Sequence, residues 1–77
     1  VNYKAGLIYY GKKDYKTAEK YFEKVVNLYP FDYSGLLYLG WTKYFLGDIA
    51  KAKNLFQKVL MYSPNDASAL EGLGLVQ

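Results

Sequence analysis

Two stretches of the chain share one amphipathic pattern. In residues 15–28 and 49–62, apolar residues recur at spacings i, i+4, i+7 and i+8, which place them on one face of an α-helix. These apolar residues are Ala18, Phe22, Val25 and Val26 in the first stretch and Ala52, Phe56, Val59 and Leu60 in the second. Each stretch therefore predicts a helix that buries one face against a neighbour.

The residues that begin and end helices also recur. An aspartate precedes each stretch, a proline follows it, and another aspartate stands two residues after the proline. An aspartate before a helix accepts hydrogen bonds from the free N–H groups of the first turn, and a proline cannot continue a helix. The aspartates are Asp14, Asp32, Asp48 and Asp66, and the prolines are Pro30 and Pro64. This pattern predicts five helices, at about residues 2–12, 15–28, 33–46, 49–62 and 67–76.

These features form an internal repeat with a period of 34 residues. Thirteen pairs of residues at this separation are identical, whereas chance gives about two or three at typical residue frequencies. The pairs are Gly6/Gly40, Tyr10/Tyr44, Asp14/Asp48, Ala18/Ala52, Phe22/Phe56, Lys24/Lys58, Val25/Val59, Pro30/Pro64, Asp32/Asp66, Ser34/Ser68, Leu36/Leu70, Leu39/Leu73 and Gly40/Gly74. The repeat predicts an all-α domain built from helix–turn–helix units.

The period and the residues within it resemble the tetratricopeptide repeat. The residues that carry the resemblance are Leu39, Gly40, Ala52, Phe56 and Pro64 in the second unit and Gly6, Tyr9, Ala18, Phe22 and Pro30 in the first. The resemblance implies antiparallel helix–turn–helix repeats stacked as a short right-handed superhelix. Repeat 1 would occupy about residues 1–32, repeat 2 about 33–66, and a partial repeat or capping helix 67–77. We expect residues 1–77 to be one domain and a fragment of a longer protein.

Small residues mark the expected helix crossings. They are Gly6, Ala18, Gly40, Ala52 and Gly74. A large side chain where two helices cross would force them apart, so these positions predict close approach. We expect Phe22 and Phe56 to fill the space between neighbouring hairpins.

Two lysines depart from the pattern. Lys13 stands in the first turn where the second unit has Gly47, so we expect the first helix to end early or irregularly. Lys43 stands on an apolar helix face, where the first unit has Tyr9. Because an unpaired buried ammonium is costly, we expect the stem of Lys43 to lie on the core and its head to reach solvent.

The helix at 33–46 is apolar almost all round. One arc holds Leu36, Leu39, Gly40 and Leu46, and the other holds Leu37, Tyr38, Trp41, Tyr44 and Phe45. A helix with two apolar faces needs two surfaces to pack against. One is the core of its own repeat, and the other is a neighbouring helix, another chain or a ligand.

In tetratricopeptide repeat proteins, the first helices of successive repeats line a concave groove that receives partner peptides. By this resemblance, the candidate binding residues are Tyr3, Leu7, Tyr10, Leu37, Tyr38, Trp41, Tyr44 and Phe45. Lys4, Glu71 and Leu75 stand on the same groove. Exposed aromatic rings are typical of protein-binding surfaces, although rings at helical spacing also fill gaps between helices.

Some members of this family hold a chaperone's C-terminal carboxylate with a clamp of lysine, asparagine and arginine side chains. The corresponding places here are Tyr3, Leu7, Tyr38, Ser68 and Gly72, and none of them is a clamp residue. The resemblance therefore implies an apolar or aromatic-rich ligand, bound as a helix or an extended strand, rather than an acidic tail.

Composition argues against several other functions. The chain has no Cys and no His, and all ten of its basic residues are lysine, so it lacks a thiol nucleophile and the usual general base and metal ligand. We predict no catalytic residue, metal or cofactor. With no Arg and a net charge of only +3, specific nucleic-acid binding is not expected. No apolar run approaches the ~20 residues of a membrane span, and nothing assigns a compartment.

The lysines of the second helix predict a solvated outer surface. Lys16, Lys20 and Lys24 are spaced four residues apart and stand beside Glu19 and Glu23. Side chains at this spacing form weak pairs on the surface of a helix. We expect these charges to face water and to pair with one another.

Two functions remain open. Aromatic residues make up 19% of the chain, with ten tyrosines, which is more than the predicted core absorbs. The first hypothesis is a non-catalytic protein–protein interaction module that binds an apolar or aromatic peptide segment on its concave face. The alternative is an assembly element, which forms a homodimer or stacks on further repeats through the same aromatic surface and the exposed end helices.

Overall fold

A computed structural model describes residues 2–77, which form five helices. They are α1 (Asn2–Gly11), α2 (Tyr15–Leu28), α3 (Tyr33–Phe45), α4 (Ile49–Tyr62) and α5 (Ala67–Val76). None of the described residues lies in a strand, so the predicted all-α class is confirmed. The predicted bounds extend one residue too far at the ends of α1 and α3. Val1, the first residue of the predicted domain, lies outside the described residues.

Consecutive helices pack against each other along the whole chain. The hairpins α1–α2 and α3–α4 correspond to the two repeat units, and the contact of α2 with α3 joins them. Helix α5 packs on α4 and also touches α3. Each helix therefore contacts its neighbours in sequence, as expected for stacked repeats. Within residues 2–77, no helix has both the length and the apolar character needed to cross a membrane.

An aspartate caps the N-terminus of each helix from α2 to α5, as the sequence predicts. In each case the side chain accepts a hydrogen bond from the backbone N–H three residues later. The bonds are Thr17 to Asp14 at 3.3 Å, Gly35 to Asp32 at 2.7 Å, Lys51 to Asp48 at 3.4 Å and Ala69 to Asp66 at 2.8 Å. These bonds satisfy N–H groups that have no partner within the helix.

The core consists of two clusters, each built around a fully buried phenylalanine. Phe22 packs with Ala18 and Leu39 in the first cluster. Phe56 packs in the second, which contains Leu36, Leu37, Ala52, Phe56, Val59, Ala69 and Val76. Val26 and Leu55 pack against both clusters. The core therefore runs continuously through the two repeats.

Two of the predicted glycine crossings are confirmed, and the third is wrong. A Cβ atom on Gly6 would lie 2.7 Å from the Phe22 ring, and one on Gly40 would lie 3.0 Å from the Phe56 ring. A Cβ on Gly74 would meet nothing within 4 Å, because no second helix of a third unit lies against it in this chain. Gly72 makes the close approach instead, against Phe56.

Lys13 ends the first hairpin as expected. It has a φ angle of +63°, and its counterpart Gly47 has +86°. The N–H of each residue donates to a carbonyl three residues earlier at 3.0 Å, that of Tyr10 and of Tyr44 respectively. The two turns thus have the same geometry, although a left-handed φ is unfavourable for a residue that has a Cβ atom.

The prediction that the head of Lys43 reaches solvent is wrong. The residue is 5% exposed, and its Nζ atom donates hydrogen bonds to the carboxylates of Glu19 and Glu23. Both glutamates belong to α2, stand one turn apart and face α3. The predicted pairing of these glutamates with the surface lysines of α2 is also wrong, because their carboxylates turn inward. Lysine 43 is therefore a buried ion-pair partner that joins the two repeats.

The carboxylates also govern the titration of Lys43. Burial lowers the pKa of its ammonium, but the hydrogen bonds and charges of Glu19 and Glu23 outweigh burial, and the net effect raises the pKa above its ordinary value. The charged form is thus the stable one inside the fold. A buried ammonium is tolerated here because two carboxylates compensate it.

Candidate functional site

Aromatic rings join α1 to α3 across the boundary between the repeats. The ring of Tyr38 lies 5.9 Å from that of Tyr3 and 5.4 Å from that of Tyr10. The Tyr10 ring also lies 6.2 Å from that of Phe45. Edge contacts at these separations are favourable for aromatic pairs. The structure therefore brings together candidate residues from two first helices.

Tyr15, which the sequence analysis did not identify, extends this cluster. Its ring stacks on Phe45 with a centroid separation of 4.7 Å and packs edge-on against Tyr10 at 5.6 Å. Tyr15 follows the capping residue Asp14 and begins α2, so the helical spacing of α1 and α3 gives no sign of it. The capping position supplies the only signal, because it orients the first turn of α2.

The far end of α3 continues the cluster. Trp41 packs edge-on against Tyr44 at 5.8 Å, and Tyr44 packs against Phe45 at 5.3 Å. We define the aromatic face as the rings connected in this way, which belong to Tyr3, Tyr10, Tyr15, Tyr38, Trp41, Tyr44 and Phe45. Phe45 is 46% exposed, and the other rings are partly buried. This face is thus both packed and accessible.

Trp41 is fixed at both ends of its side chain. Its ring packs on the buried Phe56 at 5.2 Å, and its indole N–H donates to the Ser68 hydroxyl at 3.1 Å. The hydrogen bond ties α3 to α5. Trp41 therefore serves the fold as well as the surface, and only part of its ring is free for a partner.

The two leucines among the candidates lie deeper than the rings. Leu37 is 8% exposed and belongs to the core cluster around Phe56. Leu7 is partly buried and packs on the cluster around Phe22. By contrast, Lys4, Glu71 and Leu75 are exposed. Leu37 thus supports the aromatic face from below and offers little surface of its own.

The hydroxyl groups around Tyr10 lie in an uncharged environment. Burial first, and then the neighbouring Tyr15 and Tyr38, raise the pKa of Tyr10 to about 12. All three residues are consequently neutral near pH 7 and present O–H groups. Within the described residues, no buried polar side-chain atom lacks a hydrogen-bond partner. No such partner is found for these three hydroxyls within residues 3–77, so they reach the surface.

The positions that correspond to the carboxylate clamp are used for packing. Tyr3 and Tyr38 contact each other and Phe22. The hydroxyl of Ser68 accepts the Trp41 hydrogen bond, and Gly72 lies against Phe56. No cation stands at any of these places, as the sequence already shows.

A second apolar surface lies at the turns between helices. Phe31 of the α2–α3 turn packs edge-on against Tyr62 at the end of α4, at 5.7 Å. We define the turn edge as the exposed residues Leu28, Tyr29, Phe31, Met61 and Tyr62. Beside it, the hydroxyl of Tyr33 donates to the Asp66 carboxylate, and this bond raises the pKa of Tyr33. The sequence analysis missed this surface, although each turn lies in a run of seven uncharged residues, 25–31 and 59–65.

The ion pairs of Lys43 border a depression of about 390 Å³. Its lining consists of Glu23, Asn27, Leu39, Lys43, Lys51, Asn54 and Leu55. Lys43 is already paired with Glu23, and Lys51 lies 3.8 Å from Asp48. Because the charges are compensated from within, this depression does not favour one class of ligand.

Comparison with known proteins gives two kinds of match. Residues 1–32 match one profile of the tetratricopeptide repeat, and residues 34–66 match a second. The chain is also similar to the RNA polymerase-associated protein CTR9 of Caenorhabditis elegans, with 34% identity over 71 residues. That alignment includes 91% of this chain but only 6% of the nematode protein. The similarity therefore concerns a small part of a much longer protein.

Proposed function

Because the two matched profiles cover residues 1–66 except Tyr33, this chain belongs to the tetratricopeptide repeat family, and we propose that it binds an apolar or aromatic peptide segment on its concave aromatic face. Repeats of this family indicate a protein–protein interaction or scaffold module, and they are generally non-catalytic. The name of the nematode relative associates that protein with RNA polymerase. The proposal does not extend this association to the present chain.

The continuity of the aromatic face carries the proposal. Rings from α1, α2 and α3 form one connected surface, and Phe45 is nearly half exposed within it. Aromatic side chains are enriched among the residues that dominate binding energy in protein interfaces. Their positions are held by ring–ring contacts, so binding costs little conformational entropy.

Partner capture tests the proposal. The chain is immobilised and exposed to an extract of its source organism, and captured proteins are identified by mass spectrometry. We expect Tyr44→Ala combined with Phe45→Ala to abolish capture of specific partners. Neither ring belongs to the fully buried core, so helix content by circular dichroism should remain unchanged.

A matched control comes from the turn edge. Phe31→Ala combined with Tyr62→Ala also removes two exposed, mutually packed rings, but outside the aromatic face. This variant should retain every partner. Loss of partners in the control together with retention in the Tyr44/Phe45 variant would show that binding occurs elsewhere.

A second function, self-assembly, is favoured by the exposed apolar residues of α5. Leu70 and Leu75 are each about half exposed, and the open side of a terminal repeat normally needs a cap or a neighbour. Leu70→Glu together with Leu75→Glu should convert a dimer into a monomer in analytical ultracentrifugation. A wild-type chain that stays monomeric over a wide concentration range would exclude this second function for residues 1–77.

A further inference from the structure

The rings near Tyr10 form ridges that cannot easily rearrange. Tyr10 meets Tyr15 at 69° and Tyr38 at 84°, while Tyr15 is stacked on Phe45 at 16°. Each ring is thus fixed by a neighbour that blocks its rotation. Rings set edge to face leave furrows between them, and such furrows suit a narrow ligand with bulky side groups.

The polar groups of this surface are donors without charge. Tyr10, Tyr15 and Tyr38 are uncharged, and within residues 3–77 no protein group accepts a hydrogen bond from their hydroxyls. The indole N–H of Trp41 is already used by Ser68. A ligand that is rich in acceptors and free of net charge is therefore complementary to this surface, because its negative carbonyl oxygens meet the positive hydroxyl hydrogens.

The helices offer nothing to the N–H groups of an extended ligand. Every element among residues 2–77 is an α-helix, whose backbone carbonyls are mostly bonded internally. An ordinary extended strand would therefore leave its N–H groups to water, or unpaired on burial. Proline has no N–H group, so a proline-rich segment avoids this cost. It also adopts the polyproline II helix before binding and loses little entropy.

We propose that the aromatic face selects uncharged, proline-rich segments in the polyproline II conformation over apolar helical segments. This inference rests on the proposed function, since it names the ligand class for the same face. Prolyl rings would lie in the furrows beside Tyr10 and Tyr38, as they do in other aromatic-lined grooves that bind this conformation. The hydroxyls of Tyr10 and Tyr38 would donate to carbonyl oxygens of the ligand.

Two synthetic peptides test the selection. Both have blocked ends, the same short polar tail and a length of about 12 residues, which is four turns of polyproline II. One consists of Pro-Pro-Leu repeats and the other of Ala-Ala-Leu repeats, so the leucine content is equal. In calorimetric titration, we expect the proline peptide to bind at least about tenfold more tightly, as two or three additional hydrogen bonds would give.

Hydroxyl deletions locate the contacts without removing rings. Tyr10→Phe and Tyr38→Phe should each weaken binding of the proline peptide about 2- to 10-fold and leave binding of the alanine peptide unchanged. Tyr62→Phe, on the turn edge, is the control and should change neither affinity. Circular dichroism should show the same helix content in all variants.

Three results would overturn the inference. The first is equal affinity for the two peptides, and the second is an unchanged affinity of the Tyr10→Phe/Tyr38→Phe variant for the proline peptide. The third is preferential binding of the alanine peptide; if Tyr44→Ala with Phe45→Ala abolishes that binding, the proposed function stands and only the polyproline II selection is wrong. Absence of binding by both peptides also contradicts the selection, and partner capture then decides the proposed function independently.

Discussion

The two complete repeats are alike inside each hairpin and different where they meet. Both hairpins place a glycine against a buried phenylalanine, Gly6 against Phe22 and Gly40 against Phe56. In contrast, residue 9 and its counterpart 43 differ in chemistry. Tyr9 stacks on Tyr21 within the first hairpin at 5.6 Å, whereas Lys43 reaches the glutamates of the preceding α2.

The contacts across repeat boundaries differ in the same way. Tyr38 of α3 stacks on Phe22 of α2 at 5.7 Å. Its counterpart Gly72 in α5 has no side chain and lies directly against Phe56, which Trp41 also covers. Identity at a separation of 34 residues thus marks constraints within a hairpin, and variation marks the interfaces between units. The following substitutions test this distinction, in order of decreasing effect.

Removing the carboxylates around Lys43 should have the largest effect. Glu19→Ala combined with Glu23→Ala leaves a buried ammonium without compensation, and we expect the free energy of unfolding to fall by about 3 kcal/mol. Urea denaturation measures this change. Lys43→Met is the matched variant and should be nearly neutral, because the partly exposed glutamates can turn to solvent. An equal loss in both variants would show that the ammonium does not need its partners.

Glycines at equivalent places should respond in opposite directions. Gly6→Leu should destabilise by about 1–3 kcal/mol, because its Cβ would overlap the Phe22 ring. Gly74→Leu should stabilise by up to about 0.8 kcal/mol, since a Cβ there meets nothing and leucine favours the helix. Thermal unfolding of the two variants measures both changes. A similar loss at both positions would mean that Gly74 has a packing partner.

Stability should decline at alkaline pH through Tyr10. Its pKa in the folded protein is about 12, compared with 10.0 ordinarily, so the unfolded chain loses this proton first. The stabilisation is complete below pH 10 and is lost as the pH rises toward about 12. Because the side chain is partly exposed, we expect an effect of about 1 kcal/mol.

The variant Tyr10→Phe separates this effect from the others. Denaturation midpoints between pH 9 and 11.5 should fall less steeply in the variant than in the wild type. The remaining slope belongs to Lys43 and Tyr33, whose pKa values are also raised and whose stabilisation is likewise lost as the pH rises. Identical slopes in the two proteins would show that Tyr10 does not titrate abnormally.

The turns should give the smallest change. Lys13→Gly should stabilise the protein by about 0.5–1 kcal/mol, because glycine accepts the positive φ at this position without strain. The reciprocal substitution Gly47→Lys should destabilise it by a similar amount. Chemical denaturation resolves both changes. A destabilising Lys13→Gly would indicate that the lysine side chain makes a contact of its own.

The fold could be predicted closely because its determinants are local. The capping aspartates, the helical spacing of Phe22 and Phe56 and the 34-residue period each act within one hairpin, so a single sequence shows them. The candidate face was predicted less completely. Tyr38, Trp41 and Phe45 lie where the spacing places them, but Tyr15 joins them only through the packing of α2 against α1 and α3.

What the sequence determined by itself is the set of elements, their ends and the residues at the close crossings of complete hairpins. These depend on hydrogen bonds and spacings within about 34 residues. Only the tertiary structure decided the fate of Lys43, the burial of Leu37 and the exposure of the turn edge. Each depends on which helix faces which across a repeat boundary: Glu19 and Glu23 turn inward because α3 presents a cation to them. Burial and charge compensation are properties of the assembled fold, and no segment carries them alone.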